Sequence, residues 1–180
     1  MKKGFTLIEL VIVIGILAIL ATVVVLVLNP AQLLAQARDS QRMSDLGSVK
    51  SAIALYLSTY TSPTLGTQQR ATDSTTCWFG TACAGAATCT LNAVTTVAGA
   101  GWVGIDLTGT TGGSPLSALP LDPSYPNTTY QYTYVGDNTN KTFELNANLE
   151  STKYSGLEAT DGGNCSGIYE VGTDAGLDLP

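Results

Sequence analysis

From Phe5 to Leu28 the chain runs 24 residues with one ionisable side chain, Glu9. A helix of that length reaches about 36 Å at 1.5 Å per residue, more than the roughly 30 Å hydrocarbon core of a bilayer. The run can therefore cross a membrane. Lys2 and Lys3 flank its start and the next basic residue is Arg38, so the positive-inside rule leaves the N-terminus cytoplasmic and the body outside. A cleavable secretory signal would share the Met-Lys-Lys start, but its apolar core holds about 7 to 15 residues, and this run continues unbroken to Leu28. A plain signal anchor meets the length test and leaves Glu9 unexplained. A carboxylate in an apolar run costs on the order of 2.5 to 3.5 kcal/mol at a helix centre, and so implies a partner or a function.

The rest of the 180-residue chain suffices for one folded body. A formal charge of −6, with eight scattered basic residues, argues against a basic nucleic-acid-binding face. There is no His, which removes the commonest general base and transition-metal ligand. No Ser-His-Asp or Cys-His set can form, and no catalytic residue or cofactor is expected. Cys77, Cys83, Cys89 and Cys165 all follow the apolar run, on the side where an exported domain meets an oxidising compartment. They lack the C-x-x-C spacing of zinc sites, which favours two disulfides over a metal and leaves the three pairings open.

Asn29-Pro30 ends the apolar run, and Pro30 predicts a kink or local break because proline lacks a backbone donor and clashes with the preceding turn. Gly15 is the other weak point, since glycine costs about 1 kcal/mol relative to alanine inside a helix. Beyond Pro30 a helix is predicted to about residue 60, with Leu46, Val49, Ile53, Tyr56 and Tyr60 at spacings of three and four forming an apolar stripe. Arg38, Asp39, Arg42, Asp45 and Lys50 are expected on other faces, Arg42 within pairing reach of Asp45. Residues 61–101 are rich in Thr, Ala, Gly and Ser and read as a connection tied down by cysteines, with Trp78 and Phe79 packed beneath it.

Tyr130, Tyr132 and Tyr134 alternate with polar residues, residues 136–140 read as a turn, and Phe143, Leu145, Ala147 and Leu149 alternate again. This is a hairpin with one apolar face. Ile168 to Val171 is a candidate third strand, and Trp102 to Leu107 a short strand or helical turn. The helix stripe and the sheet each need a cover, and packing one on the other supplies both. The expected class is α+β.

The stretch Lys2-Lys3-Gly4-Phe5-Thr6-Leu7-Ile8-Glu9 resembles the class III signal of the type IV pilin and pseudopilin superfamily. The resemblance implies a pilin-like fold, a long N-terminal helix with its first half transmembrane and its second half packed on a small antiparallel sheet. It implies a prepilin peptidase that cuts between Gly4 and Phe5 and methylates the new amine. Residues 1–4 would be a leader, 5–30 the transmembrane and filament-core helix, and 31–180 the extracellular head, with a disulfide-bearing region at 61–101 and the sheet and C-terminal loops at 102–180. Glu9 would pair with the Phe5 amine of a neighbouring subunit and set axial register, and a melted stretch would lie between Gly15 and Pro30. The run from Gly112 to Pro123 and the tyrosine-rich hairpin after it are similar to the region before and within the sheet of pilins and major pseudopilins.

Implied partners are copies of the chain in a homopolymer, the prepilin peptidase, a pilus assembly platform and the inner membrane before assembly, with no nucleic acid for this subunit alone. The resemblance implies a structural subunit of a type IV pilus serving adhesion, motility or DNA uptake, with a type II secretion pseudopilin as the alternative and a membrane-anchored enzyme or receptor third. Asp137, Asp161 and Asp174 lie in Gly- and Asn-rich segments where calcium could bind, but Asp and Asn favour such turns for backbone reasons, and no metal site is expected. Asn127, Asn140 and Asn164 fit the glycosylation acceptor pattern at the frequency chance gives in an Asn- and Thr-rich chain.

Overall fold

The computed structural model describes residues 4–66, 69–73, 75–77 and 87–179. Two helices come first, α1 over Leu7–Leu28 and α2 over Pro30–Thr59. Among the described residues seven strands follow: β1 Arg70–Ala71, β2 Thr76–Cys77, β3 Ala87–Thr88, β4 Thr90–Leu91, β5 Tyr132–Asp137, β6 Thr142–Ala147 and β7 Tyr169–Gly172. A short 3₁₀ turn at Ser155–Ala159 lies between β6 and β7. Trp102 to Leu107 forms a turn, with a single bridge between Ala98 and Asp106 beside it. The predicted packing of Trp78 and Phe79 lies outside the described residues.

One sheet has the order β4-β1-β5-β6-β7 and a second pairs β2 with β3. The β5–β6 hairpin and its pairing with β7 are antiparallel, as the alternating tyrosines predict. The sheet is nonetheless mixed, because β1 and β4 pair in parallel. The chain leaves β1, makes the small β2–β3 hairpin and re-enters alongside in the same direction, a crossover that two-residue strands do not announce in sequence.

The principal core lies between α2 and the inner face of the sheet. Leu46, Val49, Ile53 and Tyr56 from α2 meet Tyr132, Tyr134, Phe143, Leu145 and Ala147, with Trp102, Val103, Ile105 and Leu107 closing one side. Trp102 donates its indole N–H to the Pro120 carbonyl at 2.9 Å, which satisfies its one polar atom inside the core.

Two expectations change. Asp39 and Arg42 were expected off the apolar stripe, yet both are fully buried on it. Ala35, Asp39, Arg42, Leu46, Val49, Ile53 and Tyr56 alternate steps of four and three along one face. The N-terminal part of that face meets oxygen-rich loops around residues 122 and 150, so charge replaces carbon there. Arg42 accordingly pairs with Asp39 and Asp122, while Asp45 accepts a 2.8 Å hydrogen bond from the Tyr132 hydroxyl.

The hairpin also buries both faces. Thr133, Glu144, Asn146 and Glu170 on the outer face are as buried as the tyrosines on the inner one. A second cluster of Ala71, Cys77, Cys89, Val135 and Leu179 covers that face, so the alternation signals two environments rather than core and solvent.

Candidate assembly element at the N-terminus

Gly4, Phe5 and Thr6 precede α1 and are exposed. Thr6 is its N-cap in extended geometry, and a reciprocal capping box closes the first turn. The Thr6 hydroxyl oxygen accepts from the Glu9 amide at 3.3 Å, and the Glu9 carboxylate accepts from the Thr6 amide at 2.9 Å and from its hydroxyl at 2.8 Å. Glu9 thus has a local partner at the helix start, where free backbone donors and the helix dipole favour an anion.

Every described side chain of α1 is exposed, including Leu7, Ile8, Ile12, Ile16, Leu20, Val24 and Leu28 on successive turns. This helix is apolar around its whole circumference and packs on nothing in the head. At 22 residues it is about 33 Å long. Such a surface requires lipid or neighbouring apolar helices, because water leaves it unburied at about 25 cal/mol per Å². Residues Leu7–Val25 are long and apolar enough to cross a membrane.

Gly15 lies within uninterrupted helix, and a Cβ there would meet nothing within 4 Å. The helical path breaks at Asn29, whose backbone is left-handed at φ 39° and which both ends α1 and caps α2. Its Oδ1 accepts from the Gln32 amide at 3.4 Å. Pro30 occupies the first position of α2, where its missing N–H is no loss and its fixed φ suits the helix. The proline starts a helix rather than bending one.

Arg42, fully buried, fastens α2 to the rest of the head. Its Nε and Nη2 donate to the two oxygens of Asp122 at 2.7 and 2.9 Å, its Nη1 to Asp39 at 2.8 Å, and its Nη2 also to Ser124 at 3.0 Å. The guanidinium lies 4.7 Å from the Tyr130 ring centroid. Burial opposes its charge, but the Asp122 and Asp39 carboxylates outweigh burial and hold it protonated. Burial likewise opposes charge on Asp39; hydrogen bonds from Ser151, the Glu150 amide and Arg42 outweigh it and hold the carboxyl below its ordinary value. Arg38 forms a two-pronged pair with Glu150. The spacing of residues 39 and 42 within the stripe was the available signal for this cluster.

Cys77 and Cys89 form a disulfide. Cys165 is buried and also disulfide-bonded, and Cys83 lies outside the described residues. Asp137 accepts from the Thr139 and Asn140 amides, Asp161 from the Gly163 and Glu170 amides, and Asp174 from the Thr142 hydroxyl and Asp178 amide. Asp137 thus closes its own turn, while Asp161 and Asp174 also tie their turns to Glu170 and Thr142.

Residues 1–25 match the prokaryotic N-terminal methylation motif, the class III signal of type IV pilins and pseudopilins. The match covers the start of the chain and most of α1 and ends before the head. No curated protein and no solved structure matches the chain. The α+β layout is pilin-like, and with this motif it supports a type IV pilin or pseudopilin precursor, the motif pointing to a structural subunit.

Proposed function

We propose that this chain is the precursor of a type IV pilus subunit, cut between Gly4 and Phe5, methylated at Phe5 and polymerised through α1. The observation that carries the reading is an apolar helix exposed on every side, opened by Glu9 and preceded by the Lys-Lys-Gly-Phe sequence. The helix waits in the inner membrane with Lys2 and Lys3 inside and the head outside, then moves into a filament core where neighbouring helices replace lipid. Residues 1–4 are the leader, 5–30 the membrane and filament helix, and 31–180 the head, within which Arg42 fastens α2 to the loops around residues 122 and 150. Gly15 and the Asn29-Pro30 junction are the places where the helix yields during packing. Its partners are further copies of itself, the prepilin peptidase and an assembly platform.

A Cys77–Cys89 disulfide in a Thr- and Gly-rich head suits a body held in an oxidising compartment outside the inner membrane. Electron microscopy of sheared surface filaments, with N-terminal sequencing of their subunit, tests the reading. Long filaments of a chain beginning at Phe5 are expected. A cell-bound chain without long filaments, or a mature protein that starts at Phe5 in Gly4→Glu, contradicts the pilus or the assigned bond respectively.

A further inference from the structure

A loop tip at Thr152–Lys153 meets the first turn of α2. The Thr152 amide and hydroxyl both donate to Gln32 Oε1 at 3.2 Å, and Gln32 lies four residues past Leu28. Four residues cover at most about 13 Å even if fully extended through the Asn29 break, which keeps Gln32 close to the headgroup layer outside the core of about 30 Å in a bilayer of about 40 to 45 Å. With α1 spanning, the tip therefore stands at headgroup level.

Its chemistry fits that level. Lys153 is exposed, takes part in no ion pair among the described residues, and sits 4.8 Å over the Tyr154 ring. Leu157 is exposed on the same loop, and Leu33 and Leu34 on the first turn of α2. The nearby carboxylates Asp39, Asp122 and Glu150 are each paired with Arg38 or Arg42, and Glu158, behind the tip, is buried and accepts from the Leu149 amide. Lysine and tyrosine beside exposed leucines are what a membrane–water boundary favours.

We propose that the segment from Thr152 to Leu157 is a lipid-headgroup contact of the membrane-resident subunit: Lys153 binds phosphates of anionic lipid while Leu33, Leu34 and Leu157 rest at the headgroup boundary. The inference rests on the reading of α1 as a membrane span. It gives the unassembled head a fixed stance on the bilayer, released when the helix leaves lipid for the filament.

The test is amide hydrogen exchange of residues 152–157 in the full chain, reconstituted at low protein density in phosphatidylcholine vesicles with and without phosphatidylglycerol. Exchange up to about fivefold slower on the anionic vesicles is expected, the factor that one lysine contributes near an anionic surface. The difference should vanish in Lys153→Gln and in about 1 M salt, and persist in Lys153→Arg. Equal rates on the two vesicles, or a difference that survives Lys153→Gln, overturn the proposal. So does protection that grows with protein density, which would assign the tip to a second copy, or equal slowing by inorganic phosphate in detergent micelles, which would assign a free-anion site. A chain that fails to float with vesicles removes the spanning helix and this contact together, whereas floating with protected α1 amides and a lipid-blind loop removes the contact alone.

Discussion

Glu9 joins two requirements in one side chain. In the isolated chain its carboxylate completes the Thr6 capping box, which satisfies backbone donors at the start of a helix about to enter lipid. Cleavage before Phe5 would place a new positive amine one residue from Thr6, so the same carboxylate gains a second candidate partner at a site where an unpaired charge is costly. Glu9→Ala is expected to be cleaved and inserted, since the apolar surface of α1 is unchanged, but to yield few filaments. The check is N-terminal sequencing of the membrane fraction alongside the mass of sheared filament; wild-type yield would sink the pairing argument. Glu9 was legible in sequence because it is the lone charge in 24 residues. Arg42 was legible only by its spacing on the stripe, because nothing else local distinguishes a buried arginine from a solvated one.

The same contrast separates the two helices. α1 has no polar face and α2 has one, so α1 looks outward for partners while α2 commits its stripe to the sheet and the loops. Along α2 the buried face passes from Ala35 through Asp39 and Arg42 to Leu46 and beyond. Which residue type belongs at each step depends on segments far away: Asp122 lies 80 residues from Arg42 and the Ser151 amide 112 residues from Asp39. Removing one member of a buried ion cluster leaves the others uncompensated and costs about 3 to 5 kcal/mol. Arg42→Ala is therefore expected to lower the stability of the head by about that amount, read from urea unfolding of the full chain in detergent by the near-ultraviolet signal of Trp102. A loss below about 1 kcal/mol would show that water reaches the cluster.

Across the whole molecule the sheet separates an apolar layer beneath α2 from a polar buried layer beneath the disulfide and the C-terminal tail. On the outer face Glu144 accepts from the Leu179 amide and Asn146, and Glu170 from the Cys165 amide. Burial pushes Glu144 up to about 8, hydrogen bonds from Asn146 and Leu179 opposing and Glu170 and Asp174 adding to the rise. Burial likewise pushes Glu170 up to about 7. The folded head holds protons that the unfolded chain releases near the ordinary value of 4.5, so this part of its stability is full below that pH and is lost as pH rises towards about 8. Thermal unfolding of the full chain in detergent should give a lower Tm at pH 8 than at pH 5, and Glu144→Gln should flatten the slope; an unchanged slope would place the titration elsewhere.

The sequence by itself determined an apolar helix long enough to span a membrane, its methylation motif, the helix stripe and the central hairpin, since these are periodic or contiguous and depend on neighbours within a few residues. Only the tertiary structure decided the parallel β1–β4 pairing, the burial of Asp39, Arg42, Glu144 and Glu170, and the contact of the Thr152 tip with Gln32. Each of these depends on which distant segment supplies the hydrogen bond or the cover, and a single chain read residue by residue does not carry that pairing.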